Sequence, residues 1–141
     1  MSAASAATVA IAFVWLGMVA AISFLEAPLK FRASGVTLQV GLGIGRLVFR
    51  ALNTVEVILA AAILATLVAA SPSAGATVAI VAAVAMLGAQ LVLVRPSLTR
   101  RSNAVLAGQD APRSNAHYAY LGLETAKVIA LIVGGILLLA S

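Results

Sequence analysis

Cysteine is absent from the 141-residue chain, and histidine occurs once, as His117. The absence of cysteine excludes disulfides, thiolate metal sites and thiol nucleophiles. With one histidine, and no serine within reach of a base, most nucleophilic catalytic arrangements are excluded as well. We therefore predict that the protein is not an enzyme and that it carries no cofactor.

Charged residues are also scarce, at 9% of the chain, against about 25% in a soluble domain. Hydrophobic residues make up 63%, which is too many for a surface that faces water. Four membrane spans of roughly 20 residues, with their connections, use up the whole length. We expect an all-α integral membrane protein, folded as a single up-down four-helix bundle.

Four apolar stretches define the predicted spans, at about residues 5–27, 48–70, 76–94 and 116–140. Pro28 and Pro96 are expected to end the first and third spans, because proline is poorly tolerated inside a helix. Residues 37–50 are glycine-rich and amphipathic, which is typical of a segment that lies in the membrane interface. Ser114 is expected to cap the fourth span.

Basic residues concentrate at two of the three connections, 28–47 and 95–115. We expect the protein to lie in the cell (inner) membrane. The positive-inside rule places both connections in the cytoplasm and both termini outside the cytoplasm. We attribute the net charge of +5 to topology and to contact with anionic lipid headgroups in the bilayer, not to nucleic acid. Flanking the first connection are Lys30, Arg32, Arg46 and Arg50, and flanking the third are Arg95, Arg100, Arg101 and Arg113.

Each predicted span carries a polar side chain at a similar depth near its basic end. A charged side chain in the middle of a membrane helix costs about 2.5–3.5 kcal/mol, so these groups should face inward and pair with one another. Glu124 and Lys127 lie three residues apart and can meet on one helix face. The predicted cluster consists of Glu26, Glu56, Gln90, His117, Tyr120, Glu124 and Lys127.

The predicted cluster suits two functions, and a metal site is not favoured. The Glu-x-x-His signature of di-metal bundles is absent, because Lys127 stands where the histidine would be. The cluster is expected either to gate or relay a transported solute or ion, which we prefer, or to hold the helices together in a structural or assembly subunit. Polar contacts between membrane helices favour the second reading, because they fix register and partner choice.

Small residues are frequent in the spans, and they favour close helix packing and a homo-oligomer. Gly41 and Gly45 form a small-xxx-small pair, and Gly17 is expected to allow a close approach in the first span. Trp15 falls in the middle of its span and is expected to pack there. Spans two and four both begin with basic residues and carry a glutamate, but the residue match is too thin to establish a repeat.

Three short stretches resemble a large group of uncharacterised four-span membrane proteins, which includes a eukaryotic protein associated with platinum-drug tolerance. They are FLEAPLKF at residues 24–31, GLGIGRLVF at 41–49 and HYAYLGLETAKV at 117–128. None of the three is a catalytic motif. The resemblance implies a small membrane protein with a link to transport.

The predicted topology can be tested with a reporter fused after Ser141. A reporter that is active only outside the cytoplasm should be active in this fusion, and one that is active only in the cytoplasm should be silent. The reverse pattern would show that the basic connections do not determine the orientation.

Overall fold

Four long helices account for most of the computed structural model, which describes residues 1–110 and 115–141. All four are long and apolar enough to cross a membrane, and the described residues contain no strand. The predicted all-α four-helix fold of a multi-pass membrane protein is confirmed. The helices are α1 (Ala3–Lys30), α2 (Leu38–Ala70), α3 (Ala74–Leu106) and α4 (Asn115–Ala140). The expected cap Ser114 lies outside the described residues.

Hydroxyl side chains start three of the helices. Ser2 accepts a hydrogen bond from the backbone N–H of Ser5 at 3.1 Å, and Thr37 accepts one from Val40 at 3.2 Å. Ser73 accepts the equivalent bond at 3.3 Å. Each hydroxyl satisfies an N–H group that has no partner within its own helix. The tight connection between α2 and α3 turns at Ser71, which has a φ of 46°.

Neither proline ends its helix, contrary to the prediction. Pro28 and Pro96 each follow a π-helical segment, Ala20–Glu26 in α1 and Gln90–Val94 in α3, and the helix continues beyond both. Proline normally clashes with the carbonyl four residues earlier. That carbonyl belongs here to a wider turn with i→i+5 hydrogen bonds, which makes room for the ring.

The second helix also differs from the expectation. Leu38–Ala70 is one unbroken helix of 33 residues, so residues 37–50 do not form a separate segment in the membrane interface. Thr37 caps it at the beginning, and nothing in its sequence breaks it. The first connection shortens to residues 31–37, and Gly35 turns it with a φ of 82°, which glycine tolerates best. We call the end of the bundle that carries Lys30, Arg46 and Arg95 the basic end.

The helices pack as a ring in chain order. Helix α1 packs against α2 and α4, α3 packs against α4, and the basic end of α3 also touches α2. Because lipid tails are as apolar as leucine, this packing relies on close contact and on polar pairs. The outer surface is rich in exposed Val, Ile and Leu side chains, as lipid requires. The fully buried apolar core includes Ala12, Trp15, Val19, Ile63, Ile80, Ala83 and Leu131.

Glycines bring neighbouring segments together at several points. A Cβ on Gly134 would lie 2.8 Å from Ile80, and the ring of Phe31 occupies the space where a Cβ on Gly41 would stand. A Cβ on Gly45 would lie 3.0 Å from the Lys30 ammonium. Lys30 and Phe31, at the end of α1, therefore pack closely against α2 at the predicted pair Gly41 and Gly45. Gly17 is exposed with nothing near it, because its side of α1 faces away from the bundle.

The second helical hairpin repeats the first at a spacing of 68 residues. This spacing separates Pro28 from Pro96 and Glu56 from Glu124, and each proline follows a π-helical segment. Burial repeats as well: the pairs Ala12 and Ile80, Val19 and Leu87, Leu52 and Tyr120, and Ile63 and Leu131 are all buried. The two-fold pattern that the glutamates suggested thus extends to the prolines, to the π-helical segments and to part of the buried set.

Replacing Gly134 by leucine should destabilise the bundle, because the new side chain must displace Ile80 and Ala79. Overpacking of this kind costs about 1–3 kcal/mol. Gly122→Leu is the matched control on the same helix, since a Cβ there meets nothing within 4 Å. Thermal unfolding in detergent should show a lower midpoint for the first variant only. Equal midpoints would contradict the close approach of α3 and α4.

Candidate functional site

A lysine lies between two glutamates at the centre of the bundle. Lys127 Nζ is 2.5 Å from Glu56 Oε2 and 2.6 Å from Glu124 Oε1. All three residues have no exposed surface. We call Glu56, Glu124 and Lys127 the charge cluster. Two glutamates from different helices thus share one cation, and the lysine joins α2 to α4.

Helix α1 contributes two neutral donors to the charge cluster. Trp15 Nε1 donates to Glu56 Oε2 at 2.8 Å, and Ser23 Oγ donates to Glu124 Oε2 at 2.6 Å. Glu56 therefore accepts from both the lysine and α1, and Glu124 accepts from α1 and forms an ion pair with the lysine. Charge-assisted hydrogen bonds of this kind are stronger than neutral ones, and they offset part of the cost of burying the charges.

Helix α3 contributes Gln90, which uses both ends of its amide. Its Oε1 accepts from Lys127 at 2.8 Å, and its Nε2 donates to Glu124 Oε1 at 3.1 Å and to the Tyr120 carbonyl at 3.3 Å. Gln90 is the first residue of the π-helical segment in α3, and Ser23 lies in the corresponding segment of α1. Both π-helical segments therefore place a polar side chain on the charge cluster.

A second polar group lies between the charge cluster and the basic end. The Tyr120 hydroxyl donates to Asn53 Oδ1 at 3.4 Å, and Arg95 is within hydrogen-bonding reach of the same hydroxyl. Phe49 meets the Tyr120 ring edge to face, with 6.2 Å between the ring centroids. Tyr120 and Asn53 are buried, so they connect the charge cluster to the arginine.

The structure brings together five of the seven predicted cluster residues: Glu56, Gln90, Tyr120, Glu124 and Lys127. Glu26 is not among them. Its side chain is 38% exposed, and its nearest cation is Lys30 at 3.7 Å. The wide turn reduces the rotation between successive residues, so Ser23 faces inward where Glu26 was expected to. His117 is only partly buried and stacks edge to face with Tyr118, and it lines the same cavity as Tyr120 and Glu124 without touching Lys127.

Sequence reasoning missed Trp15, Ser23 and Asn53 as members of the site. Trp15 was expected to pack, and it does, but its indole N–H also reaches Glu56. Mid-span tryptophans place a polar N–H in lipid unless it finds an acceptor, and that rule could have paired Trp15 with a glutamate. No sequence signal identified Ser23, because its position depends on the π-helical segment.

A cavity of about 220 Å³ lies between the charge cluster and the basic end. Glu124, Ser23 and Tyr120 form part of its wall, so one member of the charge cluster borders it. We call this cavity the basic pocket. Its cationic lining residues are Lys30, Arg46, Arg95 and Arg101, and its apolar lining residues include Phe31, Leu42, Phe49, Leu98 and Leu121.

The four basic residues that were predicted to flank the first connection divide into two pairs. Lys30 and Arg46 line the basic pocket, and the Lys30 side chain is only 9% exposed. Arg32 and Arg50 are exposed on the surface of the bundle. Lys30 therefore points inward, where its ammonium lies 5.7 and 5.8 Å from the ring centroids of Phe31 and Phe49.

The charge cluster is one positive charge short when all its groups are ionised, because two carboxylates share one ammonium. Glu56 Oε1 is buried and has no hydrogen-bond partner among the described residues. Burying an uncompensated charge is costly, so the arrangement favours the uptake of a proton or another cation. Within residues 1–110 and 115–141, no three His, Cys, Asp or Glu side chains are grouped as metal ligands.

Replacing Lys127 by methionine should destabilise the fold strongly, since two buried carboxylates would then face each other without a cation. Breaking a buried pair costs about 3–5 kcal/mol. Adding Glu56→Gln to this variant should restore part of the loss, because one of the two charges is then gone. Arg50→Met, at an exposed cation, should leave the unfolding midpoint unchanged. A midpoint for Lys127→Met equal to that of the wild type would contradict the charge cluster.

Comparisons of the chain with protein-family models, with curated proteins and with solved structures gave no match. The resemblance of three stretches to uncharacterised four-span proteins therefore stays a prediction. The features that bear on a function are therefore those of the structure itself, a buried cluster of two carboxylates and one ammonium that borders a basic pocket.

Proposed function

We propose that the protein transports a small solute or ion across the membrane, with the charge cluster as the element that responds to the cargo. The proposal rests on one observation, which is that Glu124 belongs both to the charge cluster and to the wall of the basic pocket. Its carboxylate binds Lys127 and Gln90 inside the bundle, and the same residue lines the basic pocket. A solute in the basic pocket would contact the charge cluster directly.

Binding of a cargo beside the charge cluster is coupled to the ionisation of its carboxylates, because the cluster carries a net negative charge when all three side chains are ionised. A carboxylate that gains a proton loses its strong attraction to Lys127, and the lysine then pairs fully with the other carboxylate. Ser23 and Gln90 hold Glu124 from α1 and α3, so a change at Glu124 reaches three helices. Ionisable residues inside a membrane bundle commonly mark ion pathways and proton relays.

The half of the bundle that lies away from the basic end is closed by apolar side chains. Ile63, Ile80 and Leu131 are fully buried there, and the described residues place no buried charged group in that half. An open pore is therefore absent from the described bundle, and transport requires a rearrangement that exposes the charge cluster to each side in turn. The π-helical segments suit this role, since such turns bend helices and occur at functional sites.

A structural role is the second candidate function. Glu56, Gln90 and Lys127 have no exposed surface, and they bond to one another or to Trp15. Such a closed network fixes the register of four helices without any cargo. A structural subunit would need nothing beyond this network, so the two functions differ in whether flux depends on the charge cluster.

The deciding experiment measures proton flux into liposomes that hold a pH-sensitive dye, with a pH gradient across the membrane. Glu124→Gln should lower the proton flux about 100-fold or more, because the amide cannot take up and release a proton as the carboxylate can. Glu26→Gln is the matched control, since Glu26 lies outside the charge cluster and is partly exposed. Its flux should equal that of the wild type.

Thermal unfolding of the same variants separates the two functions. Unchanged flux in Glu124→Gln together with a lower unfolding midpoint would overturn transport and support the structural role. Wild-type flux no higher than that of empty liposomes would overturn proton transport directly.

A further inference from the structure

We propose that the basic pocket binds an oxyanion, a phosphate or carboxylate group, and that this group belongs to the cargo or to a lipid that the protein holds. The inference rests on the proposed function in that it names a ligand for the same pocket. The evidence for a bound oxyanion is the set of residues that line the pocket, whereas the transport proposal rests on Glu124 and the charge cluster.

The charged residues in the wall of the basic pocket are mostly cations, and the rest of the wall is largely apolar. Lys30, Arg46, Arg95 and Arg101 line it, and among its described lining residues Glu124 is the one acidic group. Glu124 already pairs with Lys127. Lys30 pairs with Glu26, whereas no described carboxylate forms an ion pair with Arg46 or Arg95. An anion in the pocket would therefore supply the opposite charge for these two arginines.

Lys30 is part of the pocket wall and does not merely flank a span. Its side chain is nearly buried, and it forms an ion pair with Glu26 at 3.7 Å, a distance that leaves room for a closer anion. Gly45 leaves the space that its ammonium occupies, since a Cβ there would stand 3.0 Å away. The rings of Phe31 and Phe49 also lie within cation–π distance of this ammonium, so it is held at the wall of the pocket, where an anion can reach it.

A hydroxyl in the pocket wall also lacks a partner. Ser102 Oγ is buried and makes no hydrogen bond to any described residue. A buried donor without an acceptor costs about 1–3 kcal/mol. Serine hydroxyls commonly donate to phosphate and carboxylate oxygens alongside Arg and Lys. The wall that contains Ser102 also contains Lys30, Arg46 and Arg95, so an oxyanion bound in this pocket would offer the hydroxyl an acceptor.

The remaining wall is apolar, with Phe31, Leu42, Phe49, Leu98 and Leu121. Such a lining accepts hydrocarbon next to the charged group. Basic pockets between membrane helices bind lipid headgroups by this combination. An oxyanion on a small organic cargo presents the same chemistry, so the two sources must be separated by experiment.

The test measures thermal stabilisation of the purified full chain in neutral detergent. Three additions are compared: inorganic phosphate, short-chain phosphatidylglycerol and short-chain phosphatidylcholine. Saturable stabilisation by phosphate supports a site for a free oxyanion. Stabilisation by phosphatidylglycerol alone supports a site for a lipid headgroup. No stabilisation by either anion, or equal stabilisation by the neutral lipid, overturns the proposal.

Variants assign the effect to the basic pocket. Lys30→Gln or Arg46→Gln should weaken anion binding about tenfold, as loss of one charge-assisted contact predicts. Arg32→Gln and Arg50→Gln remove equal charge from the exposed surface at the same end, and they should bind as the wild type does. Equal losses in all four variants would mean general charge attraction and would overturn the site.

A second pair of variants keeps the charge constant. Gly45→Val displaces the Lys30 ammonium, whereas Gly43→Val adds a side chain where nothing lies within 4 Å. Only the first should weaken binding, and equal binding by both would contradict the role of Lys30. Binding is measured without a membrane, so its loss is distinguishable from a loss of flux in Glu124→Gln.

Discussion

The ion pairs of Lys127 with Glu56 and Glu124 determine how the four helices fit together. Each helix must place a specific atom on them: the Trp15 indole, the Glu56 carboxylate, the Gln90 amide and the Lys127 ammonium. A shift of one residue in any helix would leave a buried charge or donor unsatisfied. Buried ion pairs add little net stability, because desolvation offsets attraction. In this bundle the ion pairs select one register of the four helices, because apolar contacts alone would allow several.

The basic pocket and the charge cluster form one unit with two environments. On one side lie cations and apolar rings that face a cavity, and on the other lies a dry apolar core. Glu124 belongs to both. The 68-residue repeat supplies a glutamate to each hairpin, whereas Lys127 corresponds to Leu59 and Trp15 to Ala83. The glutamates are thus the shared feature of the two hairpins, and the groups that hold them differ.

Much of the fold follows from composition, because long apolar runs have one stable arrangement in lipid. The depth of the polar residues brought Glu56, Gln90, Glu124 and Lys127 together correctly, and the pairing of Glu124 with Lys127 follows from their spacing. Glu26 was included because of its depth, and in the structure Ser23 of the π-helical segment faces the charge cluster instead. The same type of segment carries the helices past Pro28 and Pro96. A local change in hydrogen bonding, which no single residue signals, therefore accounts for these differences.

The distance along the chain between Glu56 and Lys127 has a consequence for biosynthesis. The two residues are 71 positions apart, so at about 5–20 residues per second the ribosome delivers the lysine roughly 4–14 seconds after the glutamate. During that interval α2 holds a carboxylate whose cation does not yet exist. Trp15 has already been made and can donate to it. The first hairpin thus contains one hydrogen-bond donor to Glu56 from the start. The charge cluster is complete only after α4 has been made.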